Sequence, residues 1–226
     1  KDKLMPLLLI LLSISMKFYN LYTINLLIVL FFMTFFSHAT SFYDGLSETK
    51  NLVKAGDKQI ILLGDQVSVG DKAPNFKVVN ESFTEVTLEQ FKDKIILISA
   101  VPSLDTGVCS LQTKRFNEEA TNLDSEIVVL TISNDLPFAQ RRFCKNENID
   151  KIVVLSDTVW HDFGAKYGLL IKDMGLLSRA IFIVDPQGQI AYKEIVPNIS
   201  NHPNYEMALA TLTALSPATV SKSNSK

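Results

Sequence analysis

Residues 95–120 read IILISAVPSLDTGVCSLQTKRFNEEA. Ile95 to Val101 is a continuous apolar run, the pattern of a strand buried on both faces at the centre of a sheet. Pro102 cannot donate to a ladder and stops it. Ser103-Leu104-Asp105-Thr106-Gly107 has the composition of a turn. Val108, Leu111, Phe116, Ala120 and Leu123 then recur at the spacing of an amphipathic helix. The segment is therefore a strand, a short loop and a helix. Its geometry puts Cys109 in the first helical turn, just beyond the carboxyl end of a central strand. Open α/β sheets bind their ligands there.

The same alternation continues outward. Glu126–Ser133 reads as a second buried strand. A helix capped by Asp135, with Pro137 in its first turn, runs to Glu147. Lys151–Leu155 is a third strand, and Trp160–Tyr167 a short helix stopped by Gly168. Ser178–Asp185 and Gln189–Ile195 flank Pro186-Gln187-Gly188 as a hairpin. Residues 203–214 form the last helix. Upstream, Gln59–Leu63 and Gln66–Val69 flank Gly64-Asp65 as a second hairpin. Phe76–Val79 and Thr84–Thr87 are short strands. This order predicts an α/β fold with a central mixed β-sheet flanked by helices.

The 226 residues include 22 basic and 24 acidic side chains. Residues 1–39 hold three Lys and one Asp, so the remainder is the more acidic part. An acidic body without a basic stripe argues against nucleic acid as a partner. Three His and two Cys argue against a four-ligand zinc site. The start of the chain is different in kind. Phe18 to Phe36 lacks any charge, follows Met16-Lys17 and precedes Ser37-His38-Ala39. That is the pattern of a signal peptide, and Met16 could be the natural initiator, leaving 1–15 upstream of translation. An uncleaved N-terminal membrane anchor is the alternative, since the stretch would span a bilayer as a helix. Either way the body is expected to be exported, to the periplasm or anchored facing it. The division expected is a leader over 1–39, a linker over 40–56, one domain over 57–215 and a disordered tail over 216–226.

Five positions carry candidate chemistry. Unpaired N–H groups and the positive dipole end of a helix favour an anionic sulfur at Cys109. A small buried hydrophobe is the alternative. Thr106, three residues earlier, offers a hydroxyl to the cysteine or a helix cap. Pro102 could shield the pocket or only end the strand. Arg179 interrupts the apolar run Leu176–Val184; a guanidinium never deprotonates and is costly to bury unpaired, unless it faces water at a strand edge. Cys144 lies near the end of the helix after Asp135. A bridge to Cys109 would close a long loop, but a structural disulfide or two unrelated thiols fit the spacing too. The separation is far from C-x-x-C.

The stretch Val101–Ala120 resembles the active-site segment of bacterial thiol peroxidases, the atypical two-cysteine subfamily of peroxiredoxins. The likeness continues through VGDKAPNFKVVN (69–80), SNDLPFAQRRFC (133–144), LSD (155–157), FGAKYGLLIKDMGLLSRAIFIVDPQGQIAY (163–192) and VPNISNHPNYEMAL (196–209), and covers about residues 57–214. The resemblance implies a thioredoxin-like fold with an N-terminal β-hairpin. It implies that Cys109 is the peroxidatic cysteine, oxidised by a hydroperoxide to a sulfenic acid. Thr106 and Arg179 would hold the sulfur and the peroxide oxygens, and Pro102 would limit water. Cys144 would resolve the sulfenic acid as an intramolecular disulfide, after local unwinding of both helices. A thioredoxin-like dithiol donor would reduce that disulfide. No metal or other cofactor is implied, and a homodimer is. The leader departs from this pattern, because it calls for an exported donor; a membrane is a partner only if the leader stays attached. Two other readings stay open: an exported redox-sensing or binding module with little turnover, and a structural domain with a fixed disulfide.

Overall fold

The computed structural model describes residues 23–25 and 43–216. The leader expected over 1–39 lies outside the described residues except for 23–25, and the expected tail lies outside from 217 onward. The body from Gly45 begins with β1 (Glu48–Ala55), β2 (Lys58–Leu63), β3 (Lys77–Val79), β4 (Glu85–Thr87) and β5 (Ile95–Ala100). It continues with α1 (Gly107–Glu119), β6 (Ile127–Ser133), α2 (Pro137–Glu147), β7 (Val153–Ser156) and α3 (Asp162–Lys166). It closes with β8 (Leu170–Ile171), β9 (Ala180–Val184), β10 (Ile190–Ile195) and α4 (Tyr205–Leu215).

Among the described residues the strands form two sheets. The larger has the order β10-β9-β5-β6-β7-β3-β4. Its middle strands β5, β6 and β7 run parallel, while β9 and β3 join them antiparallel. The expected central mixed sheet is therefore present. All six residues of β5 are buried, as its apolar run requires. Alternate residues serve opposite faces. Ile95 and Leu97 pack with Phe116 of α1 and with Ala208 and Leu212 of α4. Phe182 of β9, paired opposite Ile98 of β5, faces the other way. It meets Tyr167 edge to face at 5.1 Å between ring centres, beside Phe163 of α3 and Phe76. Burying such side chains contributes roughly 1.5–3 kcal/mol each, which makes these two clusters the main support of the sheet.

Two boundaries differ from the sequence reading. Residues 48–55, expected within a linker, form β1, which pairs antiparallel with β2. Of that strand only Val53 is buried, so its sequence carries almost no apolar signal. The N-terminal hairpin thus turns at Gly56-Asp57, not at Gly64-Asp65. Gly64 serves a close approach instead: a Cβ there would lie 2.1 Å from the Ala165 carbonyl oxygen, and its φ is +109°. The neighbouring Asp65 N–H donates to that same carbonyl at 2.8 Å. Asp135 is not a cap either. Leu136 occupies the N-cap of α2, without a side-chain hydrogen bond, and Pro137 opens the helix.

Candidate active site

Strand register assembles the site. Ala100 at the end of β5 pairs with Ala180 at the start of β9. Arg179 therefore sits at the carboxyl edge of β5, where the chain leaves for the loop before α1. On α1, Cys109, Gln112, Thr113 and Phe116 are the buried residues, a stripe at helical spacing that faces the sheet. Cys109 and Arg179 meet at the top of this stripe.

Arg179 is 2% exposed and Cys109 is fully buried. The guanidinium is held on three sides. Its Nε donates to the Ile199 carbonyl at 3.1 Å, its Nη1 to Gln112 Oε1 at 2.5 Å, and its Nη2 to the Cys109 sulfur at 3.3 Å. Gln112 is itself fixed, because its Nε2 donates to the Ser99 hydroxyl at 2.8 Å. Among the described residues no carboxylate pairs with Arg179. Removing a lone charge from water costs several kcal/mol unless something of opposite sign compensates. The partners here are a carbonyl, an amide oxygen and a sulfur. Of these only the sulfur can carry negative charge.

The other expected residues surround this pair unevenly. Thr106 occupies the N-cap of α1 with extended backbone, yet its side chain makes no cap. Its hydroxyl donates to the Ser103 carbonyl at 3.0 Å, which ties the loop to itself. Pro102 is buried two residues beyond the end of β5. Cys144 lies in the last turns of α2 and is a free thiol, as is Cys109. Burial, reinforced by the nearby charge of Glu81, pushes the Cys144 thiol up to about 11. Its neighbour Phe143 packs on the cluster of Val101, Leu104 and Cys109, together with Val154. The helix of one cysteine thus lies against the pocket of the other.

Three participants are missing from the sequence reading. Gln112 sits in a polar stretch, QTKR, that looks solvated. Ser99 was visible as the polar interruption of IILISA, but without a stated purpose. Phe143 was quoted only as part of a motif. A cavity of about 480 Å³ lined by Lys94, Ile96 and Val184–Gly188 lies at the amino end of β5, away from this chemistry. Among the described residues no three His, Cys, Asp or Glu side chains come together as a metal site.

The chain is similar to known proteins. Residues 68–209 match the redoxin family. A thiol peroxidase of Listeria innocua is 53% identical over 150 residues, covering 66% of this chain and 90% of that protein. The crystal structure of a peroxiredoxin-like protein from Aquifex aeolicus superposes with a TM-score of 0.69 at 38% identity, over 76% of this chain and 99% of that one. A thiol peroxidase from Chromobacterium violaceum superposes with a TM-score of 0.65 at 25% identity, over 72% of this chain and 95% of that one. The mixed sheet is accordingly the thioredoxin-like fold of peroxiredoxins. Since the likeness spans both the Cys109 helix and the strand that delivers Arg179, the chain belongs to the redoxin family and, within it, to the peroxidases called thiol peroxidases.

Proposed function

We propose that this peroxidase reduces hydrogen peroxide and organic hydroperoxides through Cys109, with Cys144 as its resolving partner. The observation that carries the reading is the buried Arg179 guanidinium, without a carboxylate, on the Cys109 sulfur. The Cys109 thiolate attacks one peroxide oxygen. The O–O bond breaks, the sulfur becomes a sulfenic acid, and the departing oxyanion leaves as water or alcohol after taking a proton. Arg179 places positive charge where the attacking sulfur and the departing oxygen carry negative charge, an arrangement that needs no reorganisation during the reaction. In the same reading the Thr106 hydroxyl, which donates to the Ser103 carbonyl, orients the peroxide, and the buried Pro102 ring limits water.

In the second step the Cys144 sulfur attacks the Cys109 sulfenic acid. An S–S bond forms, hydroxide leaves, and the proton from Cys144 completes a water. A thioredoxin-like dithiol then reduces the disulfide by exchange, itself becoming oxidised. The reading includes antioxidant defence, a homodimer and, from the leader, export to the periplasm or its membrane face. The donor is accordingly an exported dithiol protein.

The test is steady-state peroxide consumption with a thioredoxin-type dithiol as reductant. Cys109→Ser is expected to abolish turnover, and Cys144→Ser to stop it after one equivalent. A Cys144→Ser protein that cycles at full rate with that donor would remove the resolving role. For export, N-terminal sequencing of the mature protein is expected to begin after Ala39; a start upstream of Phe18 would contradict cleavage.

A further inference from the structure

Asp135 has the most heavily used carboxylate near the site, and none of its hydrogen bonds caps a helix. The Ser103 hydroxyl donates to Oδ1 at 2.7 Å. The Leu104 N–H donates to Oδ2 at 2.7 Å and the Ser133 hydroxyl to the same oxygen at 2.8 Å. Two of these donors belong to the loop between β5 and α1; the third ends β6. Ser103 in turn accepts from the Thr106 hydroxyl on its carbonyl and from the Asp105 N–H on its Oγ at 3.3 Å. The root of α2 is anchored as well. The Asp135 carbonyl accepts from the Ser156 hydroxyl at 2.6 Å. Buried Gln140 donates to Ser133 Oγ and to the Leu155 carbonyl. One side chain at the base of the Cys144 helix therefore grips the loop that leads into the Cys109 helix. A cavity of about 270 Å³ opens beside it, lined by Ser103, Asp105, Asp135, Phe143 and Glu147 among others.

We propose that Asp135 is a positioning residue that latches the two cysteine-bearing segments together, holding residues 103–106 in the form that takes peroxide and releasing them before Cys144 reaches Cys109. The inference rests on the Cys109–Cys144 chemistry proposed above. Its two steps place opposite demands on the loop. Formation of the sulfenic acid needs Thr106, Arg179 and the sulfur held together. Formation of the disulfide needs both segments to move, because Cys109 is fully buried and Phe143 packs on its cluster. Interactions present in one state and lost in the other shift that balance by their full difference. A latch therefore speeds the first step and slows the second. A residue that only supported the fold would change both in the same direction or neither.

Asp135→Ala, Asp135→Asn and Ser103→Ala test this in the full chain. Sulfenic acid formation is read by trapping with a dimedone-type reagent in a Cys144→Ser background. Disulfide closure is read by thiol loss with Cys144 present. For Asp135→Ala the first rate is expected to fall about tenfold and the second to rise about tenfold, the order for losing charge-assisted hydrogen bonds. Over-oxidation of Cys109 at a fixed peroxide concentration should then decline. Ser103→Ala and Asp135→Asn should move both rates the same ways by less, and they decide the matter if Asp135→Ala does not fold. Closure that is unchanged, or that slows together with oxidation, would overturn the latch. Wild-type protein that consumes peroxide yet keeps its Cys144 thiol would instead remove the resolving step itself, and the latch with it.

Discussion

The Nη2 of Arg179 donates to the sulfur of Cys109 at 3.3 Å, in a pocket that closes both side chains off from water. Neither residue explains its burial alone. Together they form a buried hydrogen-bonded pair, its guanidinium aimed by Gln112 and by the Ile199 carbonyl.

Arg179→Lys removes the fork that reaches three partners at once, because an ammonium is a point charge on a flexible stem. The expected loss in kcat/KM for peroxide is about 10²–10³-fold, the range for deleting one donor to a developing oxyanion. Competition kinetics against a reference peroxidase would check it. Retention of activity within a factor of two would contradict the assigned role.

Gln112→Ala takes away the acceptor for Arg179 Nη1 and the donor to Ser99 together. An unsatisfied buried polar group costs about 1–3 kcal/mol, so both thermal stability and peroxide rate should decline. Gln112→Glu places a carboxylate on Arg179 that competes with the Cys109 sulfur for the guanidinium, so its peroxide rate is expected to fall even where the fold is retained. Stopped-flow oxidation of each variant at matched folded fraction separates the two effects.

Much of this site was legible in the sequence. Cys109 announced itself through the strand, loop and helix of 95–120, and Arg179 as a charge inside an apolar run. What stayed hidden depends on contacts between distant segments. The β5–β9 register that sets Ala180 beside Ala100 is not written in either strand. Gln112 looks like a surface residue until the sheet covers it. Asp135 before Pro137 has the composition of a cap, and only the approach of Ser103 and Leu104 gives its carboxylate another use. The strand at 48–55 was missed for a different reason: it buries Val53 alone, so no alternation marks it.

Cys144 is half-buried, and its thiol is pushed up to about 11 by burial and by Glu81. In the folded reduced protein it should alkylate slowly at pH 8, with a rate that keeps rising toward pH 11. Denaturant should restore the behaviour of an ordinary thiol with a pKa near ~8.5. Iodoacetamide labelling of Cys109→Ser protein across pH 7–11 reads this directly. Rapid labelling at pH 8 without denaturant would contradict it.

Asp157 adds a pH dependence to the fold. Its carboxyl is buried and is raised from an ordinary 3.8 to about 7, chiefly by burial, although the Phe163 and Gly164 N–H groups donate to it at 3.0 and 2.8 Å. The folded state therefore holds the proton more tightly than the unfolded one. Its stabilising contribution is complete below pH 3.8 and is lost as pH rises through about 7. Asp157→Asn, which cannot titrate, should lower stability overall and flatten its change between pH 4 and 7. Melting curves across that range would show it. An unchanged slope in the variant would assign the pH dependence elsewhere.

The most direct measurement of the central claim is one equivalent of hydrogen peroxide added to fully reduced protein, stopped at sub-second times, with free thiols counted and the intact mass taken. The account predicts loss of both thiols and a mass lower by about 2 Da, the signature of one internal disulfide formed through a sulfenic acid. Thiols that persist for minutes, as ordinary unactivated cysteines do, would contradict the assignment of Cys109 and Cys144 as a peroxidatic and resolving pair.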